Sequence, residues 1–77
     1  MMQHQLSIRA QSRPEMLERV LRVVRHRGFQ VSSMHMVSAL NTDNITIELT
    51  VTSQRPVSLL SSQLSKLMGV SCVEIQQ

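Results

Sequence analysis

The chain has 77 residues, one cysteine and a formal net charge of +3, which allows one small domain burying only about 60% of the surface its unfolded form exposes. The lone Cys72 excludes an intramolecular disulfide and a CxxC metal or redox site, so association is the expected further source of stability. No apolar run approaches the roughly 20 residues of a membrane span, and Met1 to Ala10 lacks a signal-peptide pattern, which makes the bacterial-type cytosol the expected compartment.

From Gln5 to Ala10, the residues Leu6, Ile8 and Ala10 alternate with Gln5, Ser7 and Arg9, the pattern of a strand with one buried face. Gln11 to Arg13 leads into the stretch that organises the chain, Pro14 to Phe29. There Leu17, Val20, Leu21 and Val24 recur at i, i+3, i+4 and i+7, which predicts a helix with these four on its buried stripe and Leu21 in the main core. Ser12 and Glu15 have capping-box spacing, yet Arg13 precedes a proline and is biased away from helical dihedrals; either Ser12 or Arg13 is the expected cap. Gly28 stands where a helix C-terminus takes a left-handed residue, with His26 and Arg27 beside the last carbonyls.

Alternation resumes at Phe29-Gln30-Val31 and changes parity before Met34 and Met36, which predicts a bend or bulge near Ser32-Ser33 in a second strand from Phe29 to Ala39. Asn41-Thr42-Asp43-Asn44 is turn chemistry. In the clearest strand, Ile45, Ile47, Leu49 and Val51 alternate with Thr46, Glu48, Thr50 and Thr52. Pro56 opens a second helix with Val57, Leu60, Leu64 and Leu67 on one stripe, and Gly69 ends it. Val70 to Gln76 is a short final strand with Val73 and Ile75 on one parity.

The element order is βαββαβ, an α+β class. Each strand has one apolar face and each helix one stripe to cover, so both helices are expected on one face of a four-stranded antiparallel sheet, in a ferredoxin-like arrangement. Right-handed crossovers then give the spatial order 4-1-3-2, with the second strand at an edge and its backbone open to another chain. Residues 1–77 are expected to form a single domain.

Catalytic chemistry is absent from this pattern. His4, His26 and His35 lie on different elements, with no paired carboxylates, nucleophile–base spacing or metal-ligand spacing near them. Phe29 is the only aromatic residue, which removes the base-stacking platform of RNA-recognition domains with this topology. Gly28 and Gly69 read as helix stops rather than as a phosphate loop. Arg19, Arg22, Arg25 and Arg27 are partly offset by Glu15 and Glu18 and read as a solvated face, so neither a nucleic acid nor a membrane is expected as partner. Met16 and Val23 widen the first helix's stripe along one shoulder. Together with Val31, Met34 and Met36 of the edge strand they are the candidate dimer or partner interface.

Leu17-x-Arg19-Val20, followed by Arg27-Gly28-Phe29-x-Val31-x-Ser33, resembles the ACT domain of the regulatory small subunits of acetolactate synthase, also called acetohydroxyacid synthase. The run Glu18 to Phe29 and Ile47-Glu48-Leu49-Thr50-Val51 resembles the isozyme II type of that family over the whole chain. The resemblance implies a non-catalytic subunit that binds and activates a catalytic large subunit in branched-chain amino-acid synthesis. It also implies that thiamine diphosphate, magnesium and FAD belong to that partner, and that this chain carries no cofactor.

Amino-acid-sensing members have an asparagine and a glycine around the entry to the first helix and another asparagine after the Arg-Gly-aromatic turn. Here Ser12, Glu15 and Gln30 stand in those places, so the effector site is expected to be degenerate and valine feedback weak or absent. Glu15 brings a side chain and a like charge where glycine would let backbone N–H groups reach an effector carboxylate. The competing expectation is a free-standing ACT-type module that senses an amino acid.

Overall fold

The computed structural model describes residues 2–38 and 43–76; the expected turn residues Asn41 and Thr42, and Ala39 at the end of the second strand, lie outside the described residues. The elements are β1 (Met2–Gln11), α1 (Met16–His26), β2 (Gln30–Ser38), β3 (Asn44–Ser53), α2 (Val57–Ser65) and β4 (Val70–Gln76). They form one antiparallel sheet in the order β2-β3-β1-β4, as the crossover rule requires.

β1 is longer than its apolar alternation indicates. Met2 to His4 pair with Val51 to Ser53, because the long β3 offers ladder partners whatever side chains lie opposite. The helix-side rows of the sheet hold most of the core: Leu6, Ile8 and Ala10 from β1, and Ile45, Ile47, Leu49 and Val51 from β3, closed by Met16, Val20, Val24, Phe29, Leu60 and Leu64. Burying these rows is the dominant favourable term in so small a domain.

Both edge strands carry a one-residue bulge. In β2, Val31 pairs with Val51 and Ser33 with Thr50, leaving Ser32 as the extra residue; its hydroxyl donates to the Thr50 carbonyl at 3.0 Å. In β4, Cys72 pairs with Arg9 and Val70 with Ala10, and the hydroxyl of the extra Ser71 donates to the Arg9 carbonyl at 3.1 Å. The first bulge is the parity change expected at Ser32-Ser33. It sets Val31, Met34 and Met36 in the same rows as Val51, Leu49 and Ile47, on the helix side.

Gly28 ends α1 at φ +84°, following the Arg27 cap, as its position in the sequence indicates. The other end of α1 corrects the expected start. The helix begins at Met16 with Glu15 in the cap position and no side-chain capping bond; the Met16 N–H reaches the Arg13 carbonyl in a turn, and the Ser12 N–H donates to the Asp43 carbonyl at 2.6 Å. Ser12 is thus tied to the neighbouring strand connection and Arg13 to the turn. α2 ends at Ser65 with Lys66 as its cap, earlier than its apolar stripe suggests, so Gly69 (φ +94°) does not stop the helix as expected but turns the connection into β4, and Leu67 reaches the core edge from the turns in between.

The buried line of α1 is also rotated from expectation. Met16, Val20 and Val24 are buried, whereas Leu17 and Leu21 are half-buried flanks of the core. The cause is the late helix start: Met16 occupies the first turn and is pressed against the α2–β4 connection, its Cε 2.6 Å from the place a Cβ on Gly69 would take. Met16 is 1% exposed, so it is a core residue and not part of an open shoulder. Met16→Ala is expected to cost on the order of 2–5 kcal/mol and to lower the melting temperature far more than Leu21→Ala; a thermal melt of the two variants, with equal losses, would return Leu21 to the core centre.

Candidate functional site

No group of three or more His, Cys, Asp or Glu among the described residues could hold a metal ion, and none of the helices is long and apolar enough to cross a membrane. On the helix-free face, His35 stands opposite Glu48 in a shallow polar cleft with Gln5, Ser33, Thr50 and Gln76. No hydrogen bond joins the two, and no serine, cysteine or threonine nucleophile is activated there. Cys72 lies on β4, half-buried, its thiol 3.9 Å from a Glu74 carboxylate oxygen. Neither arrangement supplies a nucleophile with a base and an orienting group.

The features that remain are surfaces. Along β2 the helix-side methionines Met34 and Met36 are 43% and 46% exposed, although their row neighbours Leu49 and Ile47 in β3 are sealed. β2 contains no Asp, Glu, Lys, Arg or Pro, so it lacks the charges and prolines that commonly protect an edge from pairing. Val31 is half-buried at the start of the same row.

The side of α1 that adjoins this edge is not the one the sequence indicates. Val23 and Arg27 are one helical turn apart and share a flank, and the Arg27 guanidinium donates to Gln63 Oε1 of α2 at 2.9 Å. Val23 therefore faces α2. Leu17 and Leu21, also one turn apart, occupy the opposite flank of the Met16–Val20–Val24 line and overhang β2. Of the five candidate interface residues, Val31, Met34 and Met36 lie on the open edge row, Met16 is in the core and Val23 is turned inward between the helices. Sequence reasoning missed Leu17 and Leu21; only the register of the helix on the sheet distinguishes a central position from a flank.

The three positions expected to form a degenerate effector site divide between the two ends of the sheet. Ser12 follows Gln11, which pairs with Asn44, whereas Gln30 pairs with Thr52 at the far end of β3. Eight residues of strand separate the two pairs, roughly 27 Å at about 3.4 Å per residue. Within one chain Ser12 and Glu15 cannot share a small ligand with Gln30. The Glu15 carboxylate does not take the N–H donors of its helix; it lies 3.9 Å from the Arg19 guanidinium across one turn. Both groups are well exposed, and such a pair adds little stability.

At the Gln30 end, a buried polar residue holds the α1–β2 turn. Ser53 is 6% exposed; its hydroxyl donates to the Gly28 carbonyl and accepts from the Arg55 N–H, each at 3.0 Å. The available signal was its parity, since Ser53 continues the buried series Ile45, Ile47, Leu49, Val51. The Arg55 side chain covers Gly28, where an added Cβ would come within 3.1 Å of its Nε.

Comparison with known proteins places this geometry. The model of the ACT domain family matches residues 12–73. The acetolactate synthase isozyme 2 small subunit of Escherichia coli strain K12 is 61% identical over 77 residues, all of this chain and 88% of that protein, and that of Shigella flexneri shows the same figures. Among solved structures, the acetolactate synthase small subunit of Thermotoga maritima superposes with a TM-score of 0.84 at 20% identity, over 97% of this chain and 47% of that one. The ACT domain of the Chlorobium tepidum GTP pyrophosphokinase superposes with a TM-score of 0.80 at 17% identity, over 96% of each chain. At such identities the superpositions speak for the fold alone.

Ser53→Ala is expected to remove the hydroxyl shared by the Gly28 carbonyl and the Arg55 N–H beside a solvent-open depression, at a cost of about 0.5–1.5 kcal/mol. A melting curve that matches wild type would show that water replaces the hydroxyl there.

Proposed function

This chain belongs to the ACT domain family, and from that premise we propose that it is the non-catalytic regulatory small subunit of an acetolactate synthase of the isozyme 2 type, acting in branched-chain amino-acid biosynthesis. The observation that carries the reading is the 61% identity to the Escherichia coli small subunit across the entire chain. Residues 1–77 act in this reading as one ACT domain that binds the catalytic large subunit and raises its activity. Thiamine diphosphate, magnesium and FAD reside on that partner, and the pair works in the cytoplasm.

The small subunit works as a homodimer joined along β2. What supports this is the uncharged nine-residue edge, with Val31, Met34 and Met36 in its helix-side row and Leu17 and Leu21 overhanging it. Two such edges pair about a two-fold axis, join the sheets and cover the methionines. The same axis pairs the start of one β2 with the end of the other, which brings Gln30 of the partner subunit to the end of the sheet where Ser12 and Glu15 lie. An effector site is thus a property of two copies.

Such a site is weak in this chain. Ser12 and Gln30 replace the two amides that would grip an amino acid, and Glu15 adds a side chain and a negative charge beside the ligand's carboxylate. Two lost contacts of about 1.5 kcal/mol each weaken binding roughly a hundredfold. The sensor alternative requires the opposite.

Three measurements check the reading. Mixing the chain with a purified isozyme 2 large subunit is expected to raise acetolactate formation; no change at saturating concentrations would remove the proposed role. Met34→Pro is expected to shift the sedimenting species from dimer toward monomer, because proline removes a strand donor or distorts the edge, and a wild-type monomer at micromolar concentration would contradict pairing along β2. Calorimetric titration with valine is expected to gain affinity when Ser12→Asn, Glu15→Gly and Gln30→Asn are combined, with activation largely retained. Strong inhibition of the wild-type complex by micromolar valine would favour the sensor.

A further inference from the structure

Positive charge is concentrated on one helix. α1 carries Arg19, Arg22, Arg25 and His26 with Arg27 directly after it, whereas α2 has no acidic residue in its first turn and no basic residue in its last. Since the Met16–Val20–Val24 line faces the sheet, the 100° step per residue turns Arg22 and Arg25 to the outer side of the molecule, and both are exposed.

Their neighbours are accounted for: Arg19 lies against Glu15 and Arg27 donates to Gln63. Among the described residues, the side chains of Arg22 and Arg25 have no ion-pair or hydrogen-bond partner. Arg22 also has like-charged Arg25 three residues on, a spacing at which side chains are neighbours and equal charges repel. The helix thus holds two unneutralised guanidiniums side by side, with no intrachain carboxylate closing on either.

Arg22 stands between two shallow depressions. One has Val23 at its floor with His26 and Arg27 around it; the other has Leu21 at its floor with Glu18 and Arg25 around it. In the first, an apolar floor inside a basic rim fits a peptide surface that combines carboxylates with an apolar side chain. It suits a nucleic acid poorly, because the lone aromatic, Phe29, is 3% exposed and cannot stack on a base.

We propose that the outer face of α1, centred on Arg22 and Arg25, is the surface on which an acidic, apolar-tipped segment of the catalytic large subunit docks. This rests on the reading of the chain as that enzyme's small subunit. Pairing along β2 engages the Leu17 and Leu21 flank and leaves Arg22, Arg25 and the depression over Val23 free. The two-fold axis sets both copies of α1 on the same side of the joined sheet, so the dimer presents the basic face twice. Guanidinium forks meet carboxylates bidentately, which suits them to fixing the orientation of a docked segment as well as attracting it.

The test titrates a purified isozyme 2 large subunit with the wild-type chain, with the double variant Arg22→Glu, Arg25→Glu, and with Arg9→Glu, which reverses a charge on the helix-free face. The double reversal is expected to raise the half-saturating concentration about tenfold or more, with Arg9→Glu close to wild type. Arg22→Gln with Arg25→Gln, which keeps helix propensity, gives a second reading should the reversal disturb folding; its half-saturation is expected to be weaker than wild type and less sensitive to added salt. Superimposed curves for wild type and both double variants overturn the docking surface while leaving the small-subunit reading intact. A wild-type chain that neither binds nor activates the large subunit overturns both. Duplex DNA binding that the reversal abolishes, with large-subunit binding unchanged, assigns the face to nucleic acid instead.

Discussion

The rest of the structure depends on how two short helices are laid over a four-stranded sheet, with α1 nearer β2 and α2 nearer β4. Their buried lines meet over the two central strands, so Leu6, Ile8, Ile47, Leu49 and Val51 are almost completely closed off. The outermost helix-side rows receive only partial cover. Met34 and Met36 on one edge and Ile75 on the other are left between 36% and 46% exposed, although each stands in line with a sealed neighbour. A chain of this size has too little apolar surface to complete its own cover, and the edge that lacks charge and proline is where the proposed second copy would add the most.

The serine bulges bear on the same constraint. Each inserts one residue into an edge strand and satisfies a central-strand carbonyl with the serine hydroxyl. Without the extra residue at Ser32, Val31 would lie on the opposite face from Met34 and Met36, since side chains alternate strictly along a strand. The bulge therefore gathers three apolar side chains into one row beside α1. The small β2 residues and the flexible methionines suit the proposed pairing with a second copy, because thioether side chains adapt to irregular gaps.

In the proposed dimer, the separation of Ser12 and Glu15 from Gln30 would link assembly to regulation. Positions that line one pocket in an amino-acid sensor stand at opposite ends of β3 in this chain, so a ligand between them would be held only by a pair of chains. A chain in which those positions lack the gripping amides can keep the shared edge for assembly and lose the effector. The outer face of α1 is a separate surface, with its own unneutralised charge, and the two can serve different partners.

Element types, their order, the sheet order, the glycine that ends α1 and the β2 bulge were legible in the sequence, because alternation, helical spacing and turn chemistry are local properties of neighbouring residues. The rotation of α1 was not. The apolar stripe of Leu17, Val20, Leu21 and Val24 and the line Met16, Val20 and Val24 differ by only about 50°, half the step between successive helix residues, and the choice was made by where the helix starts and by Met16 packing against Gly69. The same rotation decided which flank meets β2 and which meets α2, and so which apolar residues belong to the open edge. Residue types at the effector positions could likewise be read in the sequence. Their placement at opposite ends of the sheet follows from strand register, a long-range relation set by how β1, β2 and β3 pair in three dimensions.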